Sequence, residues 1–196
     1  MKLFIPVSAE QITLKRFVDY HTANDNVERV MIAVNKSREY CEGLKVETVQ
    51  TVIDLFEAAC LTGKETHTPI VTIEGVKLGF IPDLNSMTFR EHVDLDQLSK
   101  SIWLENGTVD YKNLPQLMSI LYRPVTEQVG EYYNISKYDS DNVKKYMKAV
   151  NGLTMDRVQG GLLFFSTIAA ELVNNSLESL DRMLKTEIRE ITHPQG

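Results

Sequence analysis

Apolar residues recur at three- and four-residue spacing along most of this chain, and at two-residue spacing in short stretches. The first period belongs to helices with one buried face and the second to half-buried strands. Leu3, Ile5 and Val7 alternate, which predicts a short strand over residues 1–7. Thr13 can cap a helix whose Leu14, Phe17, Val18 and His21 share a face. Asp25 and Glu28 have capping-box spacing, and Val27, Val30, Met31 and Val34 follow at helical intervals. Glu42-Gly43 interrupts the pattern. Glu47 to Leu61 then carries Val49, Val52, Ile53, Phe56 and Cys60 on one stripe, with Gly63 as a stop.

Residues 68–82 change character. They are β-branched and aromatic, with Glu74-Gly75 between two runs and a proline, Pro69 or Pro82, at each end. That is the pattern of a tight β-hairpin. A lone hairpin is marginal in water, so its faces must pack or its edges must pair. Helical spacing returns after Met87. Thr88 and Glu91 form a second capping-box pattern ahead of Phe89, Val93, Leu95, Leu98 and Ile102. Asn106-Gly107 reads as a turn. Asp110 or Asn113 starts a helix through Leu114, Leu117, Met118 and Leu121, with Pro115 in its first turn. Pro124 pushes Arg123 out of helical geometry and ends it. Residues 125–141 read as a tyrosine-rich loop, after which Ser140 caps a short helix to Val150.

From Thr154 to about Ile191 there is no proline, and apolar positions step by threes and fours. This predicts one long helix, or two in line, with Gly160-Gly161 as a kink or a close contact. Its length would exceed about 50 Å, against about 35 Å for a compact domain of this size. Its end is therefore expected to project, with Leu180, Leu184, Ile188 and Ile191 still on it, either toward a partner helix or neighbouring subunit or, in a bent helix, back onto its own chain. The expected fold class is α+β, predominantly α-helical: a helix bundle with a β-hairpin and a long C-terminal helix. Residues 1–63 form a strand and helical part, 64–86 the hairpin, and 87–196 a helical part.

The composition of the 196 residues, 43% hydrophobic and 24% charged, suits a folded globular chain. A net charge of −6 argues against a protein that coats nucleic acid, which needs clustered basic side chains. No apolar run approaches the ~18 residues of a membrane span, and Pro6 breaks the start too soon for a signal peptide. Cys41 and Cys60 fit buried free thiols better than a disulfide framework. The four histidines are dispersed, with no metal-ligand spacing, phosphate loop or nucleophile elbow beside them. Asp94 and Asp96 lie two apart on a helix, so their carboxylates diverge. The chain is thus expected to be non-enzymatic and to need no metal or cofactor. Arg123, set between Tyr122 and Pro124, suits an interface anchor.

Several strings carry a resemblance. They are Gly79-Phe-Ile-Pro-Asp-Leu-Asn-Ser-Met-Thr-Phe-Arg-Glu-His-Val-Asp-Leu-Asp, Leu114-Pro-x-Leu-Met-x-Ile-Leu-Tyr-Arg-Pro-Val, Gly161-Leu-Leu-Phe-Phe and Ile12-Thr-Leu-x-x-Phe. In their order along the chain they resemble small structural or assembly proteins of tailed bacteriophages, especially crAss-like phages. The resemblance implies a virion subunit repeated in a homo-oligomeric ring near the portal or tail, assembled in the host cytoplasm. It equally allows a tail-assembly chaperone absent from the finished particle. It carries no catalytic residues. A rival from another class is a cellular regulatory or ligand-binding domain. On the ring reading the expected interface residues are Val71, Ile73, Val76 and Leu78 on the hairpin, Tyr122 and Arg123, and Leu180, Leu184, Ile188 and Ile191. The hairpin edge could be completed by a neighbour's strand.

Overall fold

Side-chain caps set four of the helix starts in the computed structural model, which describes residues 3–63, 67–83, 87–104 and 106–166. Thr13 accepts the Arg16 N–H and opens α1 (Leu14–His21). Asp25 accepts the Glu28 N–H and opens α2 (Asn26–Val34). Ser37 caps a further one-turn helix, α3 (Arg38–Glu42), in a stretch whose apolar pattern is too short to predict it. Next come α4 (Val46–Leu61) and, after the first hairpin, α5 (Phe89–Ile102), which begins with a complete Thr88/Glu91 capping box. Further on, α6 (Leu114–Leu121) takes Pro115 in its first turn, and α7 (Met147–Asn151) is short. Residues 155–161 are helical and start α8; residues 162–166 are helical too. By compactness the chain divides into Met1–Gly161 and Leu162–Gly196. Leu180, Leu184, Ile188 and Ile191 lie outside the described residues.

The sheet has four antiparallel strands in the order β1-β2-β3-β4: β1 (Ile70–Ile73), β2 (Val76–Phe80), β3 (Tyr122–Val129) and β4 (Tyr132–Ile135). Glu74 and Gly75 both take positive φ, 48° and 81°, the geometry that closes a two-residue hairpin with the right twist. The predicted hairpin is therefore present, and the fold is α+β and mostly helical.

Three expectations need correction. Residues 125–141 are not a loop throughout, because Val125–Val129 and Tyr132–Ile135 pair as a second hairpin around Gly130, whose φ is 61°. The tyrosines and β-branched residues there outweigh the polar positions between them. Residues 3–7 form no strand: the Val7 N–H goes to Gln11 Oε1 at 2.9 Å, and the Ala9 N–H goes to the Thr62 carbonyl at 2.7 Å. An alternating run makes a strand only where another strand can pair with it. Ser140 caps nothing; a 3₁₀ turn (Val143–Lys145) precedes α7 instead.

The sheet has two different faces. On one, Val71, Leu78, Phe80 and Tyr122 are buried. Phe80 and Tyr122 meet edge to face at 5.1 Å, and α8 approaches them closely at Gly161, where an added Cβ would lie 3.3 Å from both rings. The expectation of a close contact at the glycine pair is met at Gly161. An isolated bridge joins Thr13 and Thr154. The Leu14 N–H donates to the Leu153 carbonyl, and the Met155 N–H donates to the Ile12 carbonyl, which ties α1 to the start of α8. Arg16 donates to the carbonyls of Ile32 and Ala33 at 3.0 and 2.8 Å, serving the otherwise unpaired end of α2.

On the other face, Gly79 leaves room for the side chains of β4. A Cβ there would lie 2.7 Å from the Tyr133 ring and 2.8 Å from Ile135, while the Tyr133 hydroxyl donates to the Phe80 carbonyl. Gly79→Val should therefore force ring and strand apart and cost about 1–3 kcal/mol of stability, read as a lower urea midpoint. A second prediction concerns His21, whose ring sits 4.3 Å from Phe17 and 4.7 Å from Tyr111. Burial holds its pKa below the ordinary value; the Glu57 carboxylate opposes this and Arg29 adds to it. As pH falls through about 6.5 the unfolded chain takes up this proton before the folded one does. Stability is thus lost from about 6.5 down to the folded pKa. Melting scans at pH 7.5 and 5 should show a smaller drop for His21→Phe than for the parent chain.

Candidate functional site

The outer face of the sheet and the first turn of α5 enclose a buried ion pair. Pro124 lacks an N–H and restricts the residue before it, so α6 ends and β3 begins at Tyr122. The strand then directs Arg123 to the same face as Gly79, its register partner. Glu91 arrives at this point because the capping box fixes the first turn of α5. Arg123 Nη1 lies 2.6 Å from Glu91 Oε1, with the two side chains 5% and 4% exposed. Glu91 Oε2 accepts the Thr88 backbone N–H, so each carboxylate oxygen has a partner. The Arg123 Nε–H is enclosed without an acceptor.

A cleft of about 480 Å³ opens beside this pair. Glu91, Arg123, Lys137 and Tyr138 give it polar walls, and Ile81, Pro82 and Ile135 give it an apolar one. The Tyr138 hydroxyl donates to Asp94 Oδ2 at 2.9 Å, and Arg90 Nε pairs with the same oxygen at 3.1 Å. Burial, then that hydrogen bond, push the Tyr138 hydroxyl well above its ordinary pKa, so it remains a donor. Among the described residues no group of three or more His, Cys, Asp or Glu side chains could hold a metal ion. Cys60 is buried, and its thiol is pushed up to about 12 chiefly by desolvation, which makes it a poor nucleophile.

The second feature is a ribbon. β2 pairs with β3 only from Tyr122 to Pro124, so the rest of β3 is held by β4 alone. Residues 126–132 are all exposed. At the tip, Val129 is 79% and Tyr132 86% exposed, and they pair with each other across Gly130 and Glu131. Val46, Leu61 and Phe89 are as exposed elsewhere in the chain, but Val129 and Tyr132 are the pair that faces each other across a turn.

The structure distributes the expected interface residues unevenly. The side chains of Val71, Leu78, Tyr122 and Arg123 are buried within the chain. Ile73 and Val76 are half-buried beside the first hairpin turn. The edge of β2 is taken by β3, so the hairpin pairs within the chain on that side, and among the described residues the outer strands are β1 and β4. Sequence reasoning missed Glu91 as the partner of Arg123, reading it only as a cap. It also missed Val129 and Tyr132, although Gly130 between β-branched and aromatic runs is the same signal that revealed the first hairpin.

The chain matches no family model, no curated protein and no solved structure.

Removing one partner of the ion pair should be expensive. Glu91→Ala leaves Arg123 buried and uncompensated, at a cost of about 3–5 kcal/mol. The double variant Glu91→Leu/Arg123→Met should recover at least about half of that loss in chemical denaturation, because a desolvated pair is replaceable by apolar packing.

Proposed function

We infer that this protein is a non-enzymatic structural subunit of a tailed-phage particle, repeated as a ring at the portal–tail connector or in the tail. The observation that carries the reading is the β3–β4 ribbon, with Val129 and Tyr132 open at its tip. The likeness of its sequence strings to small virion proteins supplies the setting. An exposed tyrosine and valine on a projecting arm suit insertion into a neighbouring subunit, where a desolvated aromatic anchor dominates the contact energy. The outer strands favour the same reading. Neither Ile70–Ile73 nor Tyr132–Ile135 contains a charge or a proline, the usual protections of a solvent-exposed edge. Such edges accept a neighbour's strand by β-augmentation. A contact in which one patch meets a different patch on the next copy closes into a ring or extends into a filament.

Light scattering across a concentration series tests this. The native chain should form a closed oligomer, or join one when mixed with portal or tail subunits. Val129→Glu/Tyr132→Ser should keep the fold and its melting temperature yet remain monomeric under both conditions. A parent chain that stays monomeric with those subunits present overturns the reading.

A further inference from the structure

We propose that β4 is a self-pairing edge: two copies of this chain join β4 to β4, antiparallel, about a twofold axis at Asn134. The proposal rests on the reading of β4 as an assembly edge, though not on the ring. The first argument is the direction of the backbone groups. The Ser136 N–H donates to the Pro124 carbonyl, and Val129 and Tyr132 pair across the two-residue turn of the ribbon. In an antiparallel ladder successive residues point their N–H and C=O groups to opposite sides. Tyr132, Asn134 and Ser136 therefore point theirs at β3, and Tyr133 and Ile135 point theirs outward. Among the described residues β4 is an outer strand, and it carries no charge or proline to close that edge. A second β4 running the other way meets these groups only where odd positions face odd ones. Centring on Asn134 sets Tyr133 of each copy against Ile135 of the other, and each such pair exchanges both of its backbone hydrogen bonds.

The second argument is charge, which selects among the registers. The edge is uncharged from Tyr132 to Ser136, with Glu131 at one end and Lys137 at the other, both exposed. Among the described residues neither forms an ion pair within its own chain. Centring on Asn134 brings Glu131 of each copy level with Lys137 of the other, and the twofold axis repeats the pair. Opposite charges across strands stabilise the pairing and like charges weaken it. Centring on Ile135 would set Glu131 level with Asp139. Centring on Tyr133 would leave both end charges without a counterpart, and full pairing of β4 with β1 would set Glu131 level with Glu74.

Two measurements on the full chain test this. A residue on the axis faces its own copy at about 4.5 Å between Cα atoms when the pair is not hydrogen-bonded, a span that a disulfide bridges. Asn134→Cys should therefore give a disulfide-linked dimer under mild oxidation. Gln128→Cys, exposed on β3 of the same ribbon, should not, nor should the parent chain, whose Cys41 and Cys60 are buried. In sedimentation at about 0.05 M salt, where surface charges are weakly screened, Glu131→Lys and Lys137→Glu should each weaken dimerisation at least fivefold. The two reversals together should restore it to within twofold of the parent. No linked dimer from Asn134→Cys, equal linking from Gln128→Cys, or a double reversal no tighter than the single ones would overturn the proposal. These mixtures hold no portal or tail subunits, so the dimer can stand where the ring fails. A ring that forms without these effects keeps the earlier reading and overturns this one.

Discussion

The contact between Arg123 and Glu91 ties the first turn of α5 to the sheet. Each side is placed by a local rule. Pro124 converts the end of α6 into β3, and the capping box fixes the first turn of α5. Neither rule specifies the other residue, yet the two side chains meet at 2.6 Å with almost no exposure. Desolvating two ions is repaid only with good geometry and further hydrogen bonds. Glu91 obtains its second bond from the Thr88 N–H, so the helix cap also completes the ion pair. Register follows from the same point. With Arg123 opposite Gly79, the β4 side chains Tyr133 and Ile135 can cross above the glycine.

The sheet thereby acquires two faces with different work. The face of Val71, Leu78, Phe80 and Tyr122 is closed by α8 and belongs to the core. The face of Gly79, Arg123 and Ile135 is only partly covered, which leaves the cleft. Beyond both, β3 outruns β2, and the ribbon stands free with its apolar tip in solvent. A core face, a polar cleft and a ribbon with an exposed tip thus share one four-stranded sheet.

Burial also sorts the titratable groups. His21 sits among aromatic rings and is held toward its neutral form. Cys60 and Tyr138 are both pushed upward by desolvation, the tyrosine further by its bond to Asp94. These shifts favour the uncharged forms of all three side chains at neutral pH.

Local signals in the sequence determined the helices with caps and apolar stripes, from Thr13 to Thr88, because their causes lie within a few residues. They determined the first hairpin for the same reason: Glu74-Gly75 suits a two-residue turn whatever surrounds it. The pattern of 122–135 was equally local, but polar residues between the tyrosines hid it. What only the tertiary structure decided was pairing across distance. It placed β3 against β2, and so buried Tyr122 and Arg123, which as sequence looked like surface anchors. It left residues 3–7 without a strand to join, and it brought Glu91 to Arg123 across 32 positions of chain. An exposed arginine and a buried one read alike in sequence, since the carboxylate that neutralises the charge is supplied by folding.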